Sequence, residues 1–468
     1  MSSQRTQLQL DTWTKVWAKA VGMFFPKAAN RFIQYRMALD YYTGATTKGP
    51  NKSWRPTNES ADAMLMRDSK LLRSRARDLV RNYGHMSGAL KRICNNVIFK
   101  GITPQWGRDD LFTAWSEWAD AVALHDKLNL VLRHLWQDGE ILIHFYLSPT
   151  LRNQGLMPLG IELLEIDHLD GSKHGHISGG VTYKRGIEYN REGWPIAYHL
   201  FDQHPGDSMW GLSGQSRRVP AQEIEHIYVP YRASQSRGEP WLSSIIIESR
   251  DLSEYKSSER LAARLAAAFG IFVKTNIPEA MTSNILGGDG AANLYDGPEY
   301  LEPARIQPLP PGTEIQTAKV DRPGRNYEPY VKGSLRDQSA GLGMSYEAYS
   351  NDYTGASYSS ARSASLEERR GYQVQQVQLV NKVLRPIERR FKRMGDLMDR
   401  NWSDIKDATW QVPGWPWVDP DKDSKGAARD VSLGVQSRHN ICANRGLDYD
   451  EIQQQLQQEE QDGYSRGK

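Results

Sequence analysis

The sequence predicts an α+β fold, on three observations. Apolar residues at helical spacing dominate residues 60–138, and short β-rich runs broken by turn residues fill 159–230. Further on, Val377, Val380, Leu384, Ile387, Phe391, Met394 and Met398 step by three and four without a gap, one apolar stripe along a helix of more than thirty residues. Of 468 residues, 39% are hydrophobic and 25% charged, which allows a sizeable core and excludes a disordered, collagen-like or disulfide-scaffold chain.

In chain order, residues 1–60 read as one or two helices followed by a Gly/Pro/Asn-rich loop at 43–58. Met64, Leu71, Leu72, Leu79, Val80 and Leu90 set a helical pattern over 60–97. That stretch is basic, with Arg67, Lys70, Arg73, Arg75, Arg77, Arg81, Lys91 and Arg92. Such a stripe reads as a solvated helix face, with phosphate or partner contact as the alternative. Residues 111–138 are helical again, with Trp115 and Trp118 on one face. Gly139 ends that helix, and 140–147 is rich in β-formers. Strands are expected at 159–166, 187–189, 196–201 and 224–229, with turns at 190–193 and 205–207.

A long helix should run from Pro240, tolerated in a first turn, to Phe269. Its late alanines, Ala262, Ala263, Ala266, Ala267 and Ala268, reflect either helix propensity or a close-packing face. Residues 270–327 hold a strand-like run at 271–275 and then many glycines and prolines, a compact loop-rich β module. A short helix is expected from near Tyr330 through Gly341, then a small, polar, flexible stretch at 351–360. Pro386 lies inside the striped helix and should kink it near Lys382. Residues 410–420, with Trp410, Trp415 and Trp417 among prolines, cannot be helical and should pack through those rings. Two short helical patterns follow Lys422, and the last dozen residues should fray.

Charge narrows the function. Lys and Arg number 59 against 56 acidic residues, a formal net charge of +3. Tight nucleic-acid binding takes many uncompensated cations, so weak contact with DNA is compatible and a firm grip is not. Cys94 and Cys442, the two cysteines, support no disulfide framework and point to folding in a reducing cytoplasm. The first ten residues lack a signal-peptide pattern, and no apolar run approaches the roughly 20 residues of a membrane span, so a soluble protein is expected. Fourteen Trp and 22 Tyr suggest extensive packing surfaces, including surfaces against other chains.

Catalytic signatures are missing: no G-x-x-x-x-G-K-[ST] loop, H-E-x-x-H, G-x-S-x-G or C-x-x-C occurs, so neither an enzyme nor a cofactor is expected. The metal-like run Asp167, His168, Asp170, His174, His176 has ligand-type side chains, yet its spacing fits no closed site, and such mixtures are ordinary in turns. Asp138, Glu140 and Glu165 could form a carboxylate pair, with structural roles favoured. Cys94, in an apolar helical context, reads as a buried inert thiol.

Several stretches together resemble the lambda-type portal proteins of tailed bacteriophages. They are SRARDLVRNYGHMSGALKRICNNVIFKG at 74–101, QDGE at 137–140, RVPAQEIEHIYVPYRASQSRGEP at 218–240, LGMSYEAYSNDYTGASYSSARSASLEERR at 342–370 and WPWVDP at 415–420. They fall in the family's order over residues 60–450.

The resemblance implies a non-enzymatic homo-oligomeric ring, of about twelve subunits, at one vertex of the phage head. Its axial channel would pass double-stranded DNA, without sequence readout, during packaging and ejection. Implied partners are the terminase large subunit, head-completion or adaptor proteins and the major capsid protein, with no cofactor and no membrane. The implied location is the portal vertex of the virion, after synthesis in the host cytoplasm.

Carried over by segment, 1–239 is an N-terminal region and α+β wing, 240–269 the first stem helix and 270–327 a small α/β clip. Then 328–345 is the second stem helix, 346–358 the tunnel loop, 359–424 the long kinked wing helix with the Trp/Pro-rich segment, and 425–468 a helical crown and tail. The tunnel loop, Asn351, Asp352, Tyr353, Thr354, Gly355, Ala356 and Ser357, would face DNA. Lys332 and Arg336, four apart on one helical face, either touch phosphates or pair with Glu328, Asp337 or a neighbouring subunit. A near-neutral chain suits low-friction passage, because a ring multiplies every phosphate contact by its symmetry. The rival reading is a cytoplasmic metal-dependent hydrolase using His168, Asp170, His174 and His176; a third is another head component, such as an adaptor.

Overall fold

The computed structural model describes residues 52–176, 180–207, 215–268, 272–275, 313–316 and 324–462, and singly Lys19 and Lys27. The chain parts into two units, 1–60 and 61–468, of which the second carries everything that follows. The helices expected before residue 51, and most of the 270–327 module, lie outside the described residues.

The first helical pattern is two helices, α1 (Ala61–Asn82) and α2 (Gly84–Val97), parted at Tyr83, whose backbone is extended. Strand β1 (Thr103–Gln105) follows, and the next pattern also divides, into α3 (Asp109–Ala121) and α4 (Leu124–Gln137), because Ala123 turns left-handed at φ 50°. Trp115 and Trp118 do share the buried face of α3.

Strand β2 (Glu140–Leu147) is buried along its first six residues, and the two-residue alternation of a strand splits its side chains between two cores. Ile141, Ile143 and Phe145 join the main core, while Leu142 joins a second one. Burial on both faces explains why the sequence shows a continuous apolar run there instead of an alternation. After the short helix α5 (Pro149–Asn153), β3 (Leu159–Leu164) pairs antiparallel with β2.

A five-stranded antiparallel sheet covers the second core: β4 (Gly175–His176), β5 (Thr182–Lys184), β6 (Ile187–Tyr189), β7 (Pro195–Leu200) and β8 (Arg217–Pro220), in sequence order. Both expected turns occur: Asn190 accepts at its carbonyl from Gly193, and His204 from Asp207. Strand β9 (Ile224–Tyr228) returns to the far edge of β2, completing the order β3-β2-β9.

The long helix α6 (Ile246–Ala268) begins six residues after Pro240, not at it. Pro240 instead accepts at its carbonyl from Ser243, opening the 3-10 turn Ser243–Ile245 that leads into α6. Strands β10 (Phe272–Thr275) and β11 (Thr313–Gln316) pair antiparallel, as the strand-like run suggested. Helix α7 (Tyr327–Leu342) starts three residues earlier than expected and packs on α6, with Tyr255 against the rings of Tyr327 and Tyr330 at 5.8 and 4.8 Å. The short helix α8 (Tyr346–Ser350) precedes the polar stretch.

The stripe forms α9 (Tyr358–Leu379), a π-helical turn Val380–Leu384 and α10 (Arg385–Asp396) in unbroken succession. The π turn brackets Lys382, the carbonyl that Pro386 leaves without its i+4 donor. The expected stripe is buried at Val380, Leu384, Ile387 and Phe391 and exposed at its two ends. Val377 and Met398 are exposed, whereas Gln376, Glu388 and Lys392 are buried among Leu384, Ile387 and Phe391. Phe391 sits in an aromatic box with Trp115, Trp118 and Trp402, the last stacked at 5.7 Å. Strand β12 (Thr409–Gln411) pairs with β1 and brings Trp410 against Trp115. Three helices, not two, close the described chain: α11 (Pro420–Ser432), α12 (Arg438–Asn444) and α13 (Tyr449–Gln461). The last of these keeps helical structure within the stretch expected to fray.

Candidate functional site

The polar stretch sits between two helices and is tied at both ends. At its start, Ser345 caps α8 by accepting from Ala348 N, and its own N–H and hydroxyl donate to Glu368 on α9 at 2.8 and 3.0 Å. Asn351 ends α8 in the left-handed region, φ 57°, which asparagine tolerates at a helix C-terminus. Its side-chain oxygen accepts from Arg92 of α2 at 2.6 Å. Asp352 folds its carboxylate inward, accepting from the Thr354 hydroxyl at 2.5 Å, Thr354 N at 3.1 Å and the Tyr346 hydroxyl at 2.9 Å. Those bonds, Thr354's foremost, pull its carboxyl down to about 2. At the far end Ser357 caps α9, accepting from Ser360 N at 3.2 Å. Tyr353 and Tyr358 stay more than half exposed.

Lys332 lies beside this loop. Its ammonium contacts Glu328, one turn back on α7, at 2.7 Å and Asp352 at 3.7 Å, and the Glu328 hydrogen bond raises it above the ordinary lysine value. Arg336 places its guanidinium 5.2 Å from the centre of the Tyr346 ring. The two cations singled out by their i, i+4 spacing thus both meet the 346–352 segment. Lys332 takes the Glu328 pairing and adds one to Asp352 that spacing could not show. The roles of Arg92 and Glu368 went unread in the sequence, since both act across more than twenty residues; an Asn directly after a short helix was the local signal that a turn needed anchoring.

The basic stretch is not one solvated face. Arg73 is 6% exposed and donates to Asp167 at 2.9 Å. Arg77 donates to the fully buried Asp138 at 2.6 and 3.0 Å and also contacts Glu165 and Asp167. Asp138 is held from its other side by His134. Glu140, also fully buried, accepts from Arg237 through Nε and Nη2, both at 2.8 Å at closest, from Gly238 N and from His226, each at 2.9 Å. Burial alone would raise its carboxyl; Arg237 and His226 hold it well below the usual carboxylate range. Asp138, Glu140 and Glu165 are therefore structural anions serving arginines, not a paired acid and base.

The metal-like run does not gather either. His168 Nδ1 contacts the Phe201 carbonyl, and Asp170 binds the hydroxyls of Ser172 and Ser216. Among the described residues, one group of side chains could share an ion, Glu165, Asp167 and His204, and it includes none of His168, Asp170, His174 and His176. Its carboxylates already serve Arg73 and Arg77. No observation supports the hydrolase reading. Cys94 is buried, and burial pushes its thiol up to about 11, as an inert cysteine requires. No described helix is long and apolar enough to cross a membrane.

The family model described as "Phage portal protein, lambda family" matches residues 47–376. Similar curated proteins include the probable portal protein of Halomonas phage phiHAP-1, 26% identical, covering 87% of this chain and 84% of that one. Portal protein B of Escherichia phage lambda is 21% identical, covering 87% of each chain. Among solved structures, the neck of a native GTA particle computed with C12 symmetry aligns over 81% of this chain and 94% of that chain at 13% identity and a TM-score of 0.42. The virion of a native gene transfer agent particle aligns over 84% and 95%, at 11% identity, also with a TM-score of 0.42. With the family model spanning well over half its length, the chain belongs to the lambda family of phage portal proteins, structural proteins of the portal vertex of the virion head and not enzymes.

Proposed function

We propose that the protein assembles into a ring of about twelve copies whose axial channel passes double-stranded DNA into and out of the head. In this reading α6 and α7 are the stem helices, residues 270–327 the clip, 346–358 the tunnel loop, 359–424 the wing helix with its Trp/Pro-rich segment, and 425–468 the crown and tail. The terminase large subunit, head-completion or adaptor proteins and the major capsid protein are the expected partners.

The observation that carries the reading is the tethering of a polar loop between two helices. Asn351 and Ser357 are pinned at its ends, Asp352 is turned inward, and Tyr353, Thr354, Gly355 and Ala356 span the middle. Lys332, a cation beside the loop, is already opposed by Glu328 and Asp352. Each firmly neutralised phosphate adds a salt-sensitive increment of affinity, and a ring repeats it in every subunit. A loop whose charges are satisfied at home slides past phosphates with little friction. Lys332 and Arg336 then act as transient phosphate contacts.

Light scattering after gel filtration, with electron microscopy of the purified protein, tests the ring. Replacing residues 352–356 by an equally long Gly/Ser segment should leave rings intact and reduce packaged or retained DNA severalfold in a packaging assay. Normal packaging, or loss of the rings themselves, refutes the loop assignment.

A further inference from the structure

The ion network around Arg77 borders a cavity of about 500 Å³ that the portal function does not use. Lys70, Arg73, Arg77, Arg185, Arg237 and Asp167 line it. Four carboxylates serve three of these five cations: Asp138, Glu165 and Asp167 on Arg77 and Arg73, and Glu140 on Arg237. Arg185 donates instead to a neutral group, the Ser69 hydroxyl, at 2.6 Å.

Donors are left over as well. Nε and Nη1 of Arg73 and Nη1 of Arg185 are buried and find no acceptor among the described residues. Buried charged donors without acceptors are costly, and folded proteins rarely leave them so unless a ligand or water completes the set. Burial, together with the charges of Arg237 and Arg73, pushes the Arg185 guanidinium down to about 10, still cationic at neutral pH.

Backbone conformation adds an independent sign. Arg185 and Gly186 form the two-residue turn between β5 and β6, with φ values of 49° and 89°. Both central positions of such a turn favour Asn, Asp or Gly, and an arginine at the first is strained there. Strain concentrates where a side chain is held for a purpose.

We propose that this cavity is a binding site for a small tetrahedral oxyanion of the phosphate class, held by Arg73 and Arg185 with Lys70 at its rim. A tetrahedral oxyanion offers several acceptor oxygens to a guanidinium fork, which suits the unused N–H groups. The same chemistry could come from free inorganic phosphate or from a phosphodiester. This site stands apart from the channel reading and needs no ring.

Inorganic phosphate, compared with chloride at matched ionic strength, should raise the thermal unfolding midpoint of the full chain by a few degrees, and calorimetric titration should show saturable binding. Arg185→Asn keeps a residue that accepts the left-handed turn yet removes the guanidinium, and should weaken binding at least about tenfold. Lys70→Gln, at an exposed position, should weaken it less and guards against loss of folding in the first variant. An Arg185-dependent response to phosphate supports a free ion. An Arg185-dependent response to a short duplex oligonucleotide alone supports a phosphodiester. A response to neither, or one that Arg185→Asn and Lys70→Gln both retain in full, overturns the site.

Discussion

Replacing Arg237 by methionine takes a guanidinium from a carboxylate that has no water to turn to. Arg237 is 3% exposed and Glu140 0%. The substitution removes both 2.8 Å contacts to Glu140 and leaves the 2.9 Å bonds from Gly238 N and His226. Breaking a buried pair from one side costs about 3–5 kcal/mol, and the two surviving bonds place this case near 3. The penalty should depend on pH. In the native protein burial, with Arg237 adding to it, depresses His226, against the pull of Glu140. Without Arg237 that repulsion is gone and Glu140 is uncompensated, so the folded-state value of His226 rises towards its unfolded value near 6.5. A depressed histidine costs stability as pH falls below its unfolded value, and a smaller depression costs less there. Arg237→Met should therefore be less destabilised at about pH 5.5 than at about pH 8. Urea unfolding, followed by tryptophan fluorescence at both pH values, measures this. Adding Glu140→Gln should recover part of the loss, because it removes the stranded charge. A penalty under about 1 kcal/mol at pH 8, the same penalty at both pH values, or a double variant that costs the full sum would refute the reasoning.

Three further outcomes are expected. Phe391→Ala, fully buried between Trp118 and Trp402, should cost about 3–5 kcal/mol in urea unfolding and weaken the near-ultraviolet circular dichroism of the tryptophan box; Phe391→Asp should not fold. Gly139→Ala should cost at least about 2 kcal/mol, since φ is +83° and a Cβ would strike the backbone of Glu239, and a smaller loss in thermal unfolding would show that the crossing relaxes. At about pH 8 a maleimide should label the part-exposed Cys442 well before Cys94, whose thiol lies near 11 and becomes reactive only on unfolding; mass spectrometry of early time points decides.

Much of the fold was legible because periodicity is local. The helical stretches at 61–137, the strand at 140–147 and the irregular turn around Lys382 all follow from residues within a few positions of one another, whereas the breaks at Tyr83 and Ala123 went unread. The start of α6 was misplaced because proline suits a 3-10 turn as well as a helix N-terminus, and only the chain's path into α6 separates the two. The stripe holds through its middle, but an apolar count cannot see that Glu388 and Lys392 beside it are buried too. Those two are buried by pairing with each other at 2.8 Å and by bonds to Trp106, Ala408 and the carbonyls of Ile405 and Lys406. The candidate site was legible as a polar loop, from its small residues, but not as an anchored one. Its anchors, Arg92 and Glu368, come from other helices, and apart from the Asn that follows a short helix, pairings at that range leave no local mark.

The basic run on α1 and the near-zero net charge look contradictory in the sequence, and the structure reconciles them. A run of arginines on an early helix, in a chain of a phage portal family, invites the inference of a phosphate-binding face. Yet Arg73 and Arg77 turn inward and are spent on Asp138, Glu165 and Asp167, which lie 61 to 94 residues away in sequence. Charge that stabilises the interior cannot also slow a polyanion at the surface. Lys332 repeats the pattern on a smaller scale beside the loop, opposed by Glu328 and Asp352. Arg185 departs from it, donating to the neutral Ser69 hydroxyl from a strained backbone, and so the excess charge of the network collects around a cavity instead of the loop. A chain can therefore be rich in arginine and still carry little free positive charge at its surface, provided that carboxylates meet the arginines in the fold, as Asp138, Glu165 and Asp167 do here.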